Sequence, residues 1–181
     1  MHACICQYLK AYFGGTYNPE DGRICVLPTN ASQVARFDPA TKTWDTFGDK
    51  FPQTTPFGTH DKWWVEPALS SFDKCMYALP GSFGVVHRIL KVDSVNNIAC
   101  EVGEDLRSRT RAKTWAWAGA VAGSDGCIYG IPCQANSVLR FDPRINKVST
   151  FGEIQFEDPD WLKKMHATGV LPACWVWDFF W

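Results

Sequence analysis

Residues 125–152 read DGCIYGIPCQANSVLRFDPRINKVSTFG, and two earlier stretches obey the same grammar. DGRICVLP (21–28), DKCMYALP (73–80) and DGCIYGIP (125–132) align, and their closing residues Pro28, Pro80 and Pro132 are spaced 52 and 52 apart. Downstream stand ARFDP (35–39), LKVDS (90–94) and LRFDP (139–143). From Asp38, Asp93 and Asp142 it is ten residues in each case to Gly48, Gly103 and Gly152. The middle copy carries three extra residues between Pro80 and Asp93. Three correlated landmarks in three copies define an internal repeat, the sequence signature of a repetitive architecture.

Each copy reads as four short strands. In copy three these fall at Thr114–Ala122, Cys127–Pro132, Ser137–Asp142 and Lys147–Phe151, rich in β-branched and aromatic residues and punctuated by Gly, Asp, Asn and Pro. GSDG (123–126) and PEDG (19–22) join the first pair, because glycine tolerates the positive φ of a tight turn. DPATKT (38–43) and DPRINK (142–147) join the third to the fourth: proline presets φ and aspartate bonds the backbone ahead. Counting seventeen residues back from the closing proline reaches Trp63 and Trp115, with Ala11 in copy one, so Trp63, Trp115 and Trp117 are expected to pack between repeats. Four strands per unit at this period describe a β-propeller blade. The density of Gly and Pro excludes HEAT-type helical repeats, and a β-solenoid would need shorter coils. The expected fold is therefore all-β: an incomplete β-propeller of three four-stranded blades (about 8–49, 50–104 and 105–153) in one domain spanning 1–181.

The run D-G-x-I-Y-x-x-P, then N-S-V-L-R-F-D-P, then V-S-T-F-G within Asp125–Gly152 resembles the blades of streptogramin-lyase-like and kelch-like propellers. It is also similar to a repeat of uncharacterised proteins of single-celled algae. The resemblance covers most of residues 8–152. It implies blade structure. In the lyase-like enzymes it would also imply a polar, His/Glu metal-linked site on loops at one end, but this chain has no histidine cluster at repeat-equivalent positions.

After Gly152 the pattern changes. FEDPDWLKKMHATG (156–169) reads as a short helix, with Asp158 as cap, Pro159 in the first turn and Gly169 at the end. CWVWDFFW (174–181) reads as a strand that opens or closes a partial fourth blade. Its Trp175, Trp177, Phe179 and Trp181 alternate onto one face. Closed propellers have about four to eight blades. Three blades and one strand would leave apolar faces and edges to be covered, by other protein subunits, by a second copy of the chain, or by a continuation.

Composition narrows the partners. The 181 residues carry 18 Lys+Arg against 19 Asp+Glu, a net charge of −1. This balance argues against general binding to nucleic acid or anionic membranes. Hydrophobic residues at 46% exclude disorder. The most apolar stretches, 115–123 and 169–181, are shorter than the roughly 18–20 residues of a spanning helix. Docking to a membrane complex stays compatible with this. MHACICQYLK has no basic region ahead of its short apolar run and does not read as a signal peptide. Eight cysteines include no CxxC, and His2 does not complete a zinc pattern with Cys4 and Cys6. They read as small buried hydrophobes of a reducing compartment, cytoplasm or organelle.

No metal or other cofactor is expected. His2, His60, His87 and His166 form no H-x-x-x-H or H-E-x-x-H, Ser70, Ser71 and Ser82 lack a G-x-S-x-G context, and there is no P-loop or G-x-G-x-x-G. Loops 29–33, 81–87 and 133–136 would converge at one end of the blades, offering Asn30, Gln33, His87, Gln134 and Asn136 as ligand-binding candidates. Only His87 among them is a plausible acid or base, and hence the sole catalytic candidate. Asn30 also begins an N-A-S sequon, read as a turn residue because Ala135-Asn136-Ser137 fills the same loop in copy three. RSRTRAK (107–113) sets Arg107, Arg109, Arg111 and Lys113 at alternate positions, one face of an extended segment. That stripe would dock an anion or partner, or sit as a solvated crossing balanced by Glu101, Glu104 and Asp105. Trp175, Trp177 and Trp181 are candidate partner anchors, with contact to a pigment or other hydrophobic ligand as a second use.

Two functions of different class follow. The first is a non-catalytic interaction or accessory subunit, in one version part of a large organellar, photosynthetic assembly. The second is a lyase or hydrolase of the streptogramin-lyase-like class, with a small-ligand-binding propeller beside it.

Overall fold

A computed structural model describes residues 11–29, 31–51, 64–81, 86–111 and 115–153. The helix and strand expected over 154–181, with Trp63, Asn30 and Lys113, lie outside the described residues. Three sheets, each of four strands in chain order, account for the described chain. Blade 1 is β1 (Tyr12–Asn18), β2 (Arg23–Pro28), β3 (Val34–Asp38) and β4 (Thr43–Phe47). Blade 2 is β5 (Trp64–Leu69), β6 (Met76–Pro80), β7 (Ile89–Asp93) and β8 (Ile98–Val102). Blade 3 is β9 (Trp117–Ala122), β10 (Ile128–Pro132), β11 (Val138–Asp142) and β12 (Lys147–Phe151). Every pairing is antiparallel, as connections of a few residues require. β5 packs beside both β1 and β9, so the first strands form the inner edge of an incomplete propeller.

The turn chemistry is as expected. Asp38 Oδ1 accepts from the amides of Ala40 and Thr41, and Asp142 Oδ1 from the amide of Arg144. Lys42, Asn97 and Asn146 close the three equivalent turns at φ 58°, 59° and 52°. The Asp of each Asp-Gly or Asp-Lys hairpin does more than turn the chain. Asp73 accepts from the amide of Cys75, the Tyr77 hydroxyl at 2.7 Å and Lys91 Nζ at 3.2 Å. Asp125 repeats this with Cys127, Tyr129 and Arg140. In blade 1 Cys25 replaces the tyrosine, Arg36 turns to Asp45, Ser94 and Asn97, and Asp21 Oδ2 is buried with no hydrogen bond.

Two apolar cores lie between the blades. Between blades 1 and 2, Cys25, Leu27, Val34 and Phe47 meet Trp64, Met76, Ala78, Leu90, Val92 and Ala99. Between blades 2 and 3, Val65, Ala68, Tyr77, Leu79 and Ile89 meet Trp117, Ile128, Leu139, Phe141 and Val148. Strand alternation produces this division, since each blade sends alternate residues to the blade before it and the blade after it.

Trp64 and Trp117 hold equivalent places, both 0% exposed and opposite Pro80 and Pro132; Trp117 packs between blades as expected. Their indole N–H groups donate to the carbonyls of Arg88 and Ser137, the residues just before β7 and β11. Six residues separate the paired Leu69 and Met76, but only five separate Ala122 and Ile128. One shorter turn moves the position by one residue, and counting from the proline cannot see it. Trp115, half-buried at φ 49° in the crossing to blade 3, also packs against the core between blades 2 and 3, and its amide donates to the Gly81 carbonyl at 2.6 Å.

Candidate functional site

Two places in this fold offer chemistry: the loop end of the blades and the two blade faces that have no neighbour among the described residues. At the loop end, shared topology puts the connections β2–β3, β6–β7 and β10–β11 on one side. They carry Gln33, His87, Gln134 and Asn136; Asn30 lies outside the described residues. Gln33 is committed internally, its Nε2 donating to the Gly48 carbonyl at 2.9 Å. The backbone N–H of Gln134 donates to the Trp115 carbonyl, and Asn136 is exposed. His87 accepts the Leu106 amide on its carbonyl, and its Nδ1 is buried without a hydrogen-bond partner. Glu101 lies within its electrostatic reach; burial pushes that carboxyl up, against the pull of Arg88 and His87. Among the described residues no three His, Cys, Asp or Glu side chains gather to hold a metal ion.

The basic stripe takes a different shape from the extended segment expected. Leu106–Arg109 is a 3-10 turn capped by Asp105, whose side chain accepts the Arg107 amide. Leu106 is wholly buried and pins the turn. Arg107 folds back onto Asp105 and Arg109 onto Glu104, while Arg111 is exposed. In a 3-10 turn residues two apart point to different sides, so Arg107 and Arg109 share no face. The guanidinium of Arg107 holds the Asp105 carboxyl down at about 2. Two of the acids expected to balance the stripe thus do so.

The blade faces form a more extensive feature, legible only by comparing equivalent positions. Leu27 and Leu79 precede the closing prolines of blades 1 and 2 and are 1% and 0% exposed; Ile131 in blade 3 is 47% exposed. Tyr77 is buried where Tyr129 is half-exposed, and Val34 and Ile89 are buried where Val138 is half-exposed. Phe47 is 6% exposed and Phe151, at the same place, 51%. Val121 completes an open apolar face on blade 3.

Among the described residues, blade 1 is open on its opposite side. The cross-strand row Leu69–Met76–Val92–Ala99 of blade 2 packs on blade 1, and Ala122–Ile128–Phe141–Val148 of blade 3 packs on blade 2. The matching row of blade 1 is Tyr17–Ile24–Phe37–Trp44. Its ends, Tyr17 and Trp44, are exposed, and Phe37 packs against Trp44 with ring centroids 4.9 Å apart and planes tilted by 37°. The sequence did signal these positions, since each follows the repeat; neighbourless faces emerge only once the packing direction is known. The anchors Trp175, Trp177 and Trp181, like Lys113, lie outside the described residues.

No family model and no curated protein matches the chain. Solved structures do. The chain is similar to virginiamycin B lyase from Staphylococcus aureus, at TM-score 0.59 and 15% identity over 83% of this chain and 43% of that one. A streptogramin B lyase structure gives TM-score 0.59 and 15% identity over 81% and 41%. A luciferin-regenerating enzyme gives TM-score 0.52 and 11% identity over 87% and 50%. At such identities the likeness shows the propeller-like fold alone. The chain spans half the length of these structures or less. Among the described residues no helix is long and apolar enough to cross a membrane.

Proposed function

We propose that this chain is a non-catalytic interaction module, one propeller-like domain that works by joining other polypeptide. The observation that carries the reading is the pair of open apolar blade faces. The repeat positions that are buried between blades 1 and 2 and between blades 2 and 3 are exposed on the outer sides of blades 1 and 3. Large exposed apolar patches mark interaction surfaces. Trp175, Trp177 and Trp181 belong to the same role as anchors on a blade edge or a partner, since tryptophan dominates the centres of interfaces. The kelch-like and algal resemblance of the repeat extends the reading to an accessory subunit of a large organellar, photosynthetic assembly in a reducing compartment. Hydroxyl-radical footprinting of the protein in its native extract tests it. Tyr17, Trp44 and Phe151 are expected to be protected relative to the denatured chain; full oxidation of all three overturns the reading.

One observation favours a second reading, a lyase or hydrolase of the streptogramin-lyase-like class. His87 holds a buried, unpaired Nδ1 at the loop end, beside Glu101 and Arg88. An imidazole so placed can take or give a proton to a bound substrate. Turnover of a cyclic ester or lactone, abolished by His87→Ala without loss of fold, supports this reading; binding without turnover supports a ligand-binding propeller, with Gln134 and Asn136 beside His87.

A further inference from the structure

We propose that two copies of this chain close head to tail into a six-bladed ring, the open face of blade 3 in one copy seated on the open face of blade 1 in the other. This rests on the interaction-module reading and names the partner.

The two open faces are the unmatched halves of one interface that the chain already makes twice. Blade 1 meets blade 2, and blade 2 meets blade 3, through the same repeat positions. The giving side consists of the residue before the closing proline, the first residue of the third strand and the last of the fourth: Leu27, Val34 and Phe47, then Leu79, Ile89 and Val102. Blade 3 offers Ile131, Val138 and Phe151 in these places, apolar and unburied. The receiving side is the row that ends Val92–Ala99 or Phe141–Val148; blade 1 offers Phe37–Trp44.

Close approach follows the same rule. A Cβ added to Gly48 would stand 2.6 Å from the Ala99 amide nitrogen, and one added to Gly103 would touch Phe141 at 3.5 Å and Val148 at 3.6 Å. Gly152, at the same place and with φ of 66°, meets nothing within 4 Å. The receiving turns match in backbone alone: Lys42 in blade 1 adopts the left-handed φ of Asn97 and Asn146, but their side chains accept from Arg36 and from the Gly103 amide of the preceding blade, and a lysine has no acceptor to repeat that bond.

Size agrees with the pairing. The described blades cover 43% of the virginiamycin B lyase and 50% of the luciferin-regenerating enzyme, so two such sets of blades match the size of one such propeller. A head-to-tail contact either closes or runs on as a filament. The described blades of two copies number six, within the usual closed range of about four to eight.

Light scattering on the eluting full chain, over a range of concentrations, tests the proposal. The expected mass is about twice the 20.4 kDa of one chain. Ile131→Glu and Trp44→Glu alter opposite faces, both at exposed positions, so the core is untouched. Each is expected to weaken association by at least about 30-fold, the loss typical of an interface anchor, with an unchanged far-ultraviolet spectrum. Mixing the two variants restores a two-chain species, because one junction then pairs two unaltered faces. A single-chain mass at every concentration overturns the proposal, as does an open-ended series of larger species. It is equally overturned if only one variant acts, which marks a face-to-face dimer. A chain of single mass whose Trp44 and Phe151 are protected in native extract refutes the second copy and leaves the interaction module standing. Full oxidation of both faces there refutes both.

Discussion

Gly48 and Gly152 make a controlled comparison, since they occupy one repeat position with φ of 79° and 66°. An alanine at either must adopt a left-handed conformation, at a cost of about 1–2 kcal/mol. At 152 that is the whole effect within the described residues, because none of them lies within 4 Å of the added carbon. At 48 the carbon would stand 2.6 Å and 2.8 Å from the backbone N and Cα of Ala99. Backbone cannot rotate aside as a side chain can, so blade 1 must slide off blade 2. The adjacent bond from the Asp49 amide to the Ala99 carbonyl, 2.8 Å long, would lengthen with it. Forced overpacking of this kind costs about 1–3 kcal/mol, and the disturbed hydrogen bond about 1 more. Thermal unfolding in the Trp44→Glu background keeps both variants as single chains. At about 2–4 °C per kcal/mol for a chain of this size, Gly152→Ala is expected to lower Tm by roughly 2–8 °C and Gly48→Ala by about three times as much, roughly 6–24 °C. Equal losses would refute the argument, showing that blade 1 does not press on blade 2 as the geometry requires.

Trp117→Ala empties a fully buried site between blades 2 and 3 and is expected to cost about 3–5 kcal/mol in chemical denaturation. Trp117→Phe keeps most of the packing but leaves the Ser137 carbonyl without its indole donor, a loss of about 1–3 kcal/mol. Acid should destabilise the fold in a defined window. The Cys127 amide and Tyr129 hydroxyl hold Asp125 down at about 2, and Arg144 does the same for Asp142, from an ordinary 3.8. Carboxylates lowered in the folded state contribute stability above about pH 3.8 that is lost as pH falls through about 2. Thermal melts are expected to fall across that range, and Asp125→Asn to be less stable at neutral pH with a smaller loss in acid. Burial pushes the thiols of Cys25 and Cys75 up to about 11 and about 12. Both are expected to resist alkylation at pH 8 until the chain unfolds, read by mass spectrometry of the labelled peptides.

Local chemistry made most of the fold legible in the sequence. The twelve described strands follow from short apolar runs closed by Asp-led turns, Asp-Gly and Asp-Pro in blades 1 and 3 and Asp-Lys and Asp-Ser in blade 2, whose conformations need only the residues in the turn itself. In copy three the fourth strand falls at Lys147–Phe151 as read, the second and third begin one residue later, and the first begins at Trp117. Register and direction were a different matter. Which tryptophan enters the core depends on a turn one residue shorter in blade 3, which shifts the facing position without disturbing the motif. The arginine stripe dissolved because Leu106 is drawn into the core and winds its neighbours into a turn, a pull from residues distant in sequence. Leu27, Leu79 and Ile131 are interchangeable letters of one repeat, yet two are buried and one exposed. A repeat states what each blade can bury; only the stacking of the blades decides which faces find a neighbour, because burial belongs to the pair of surfaces and not to either sequence alone.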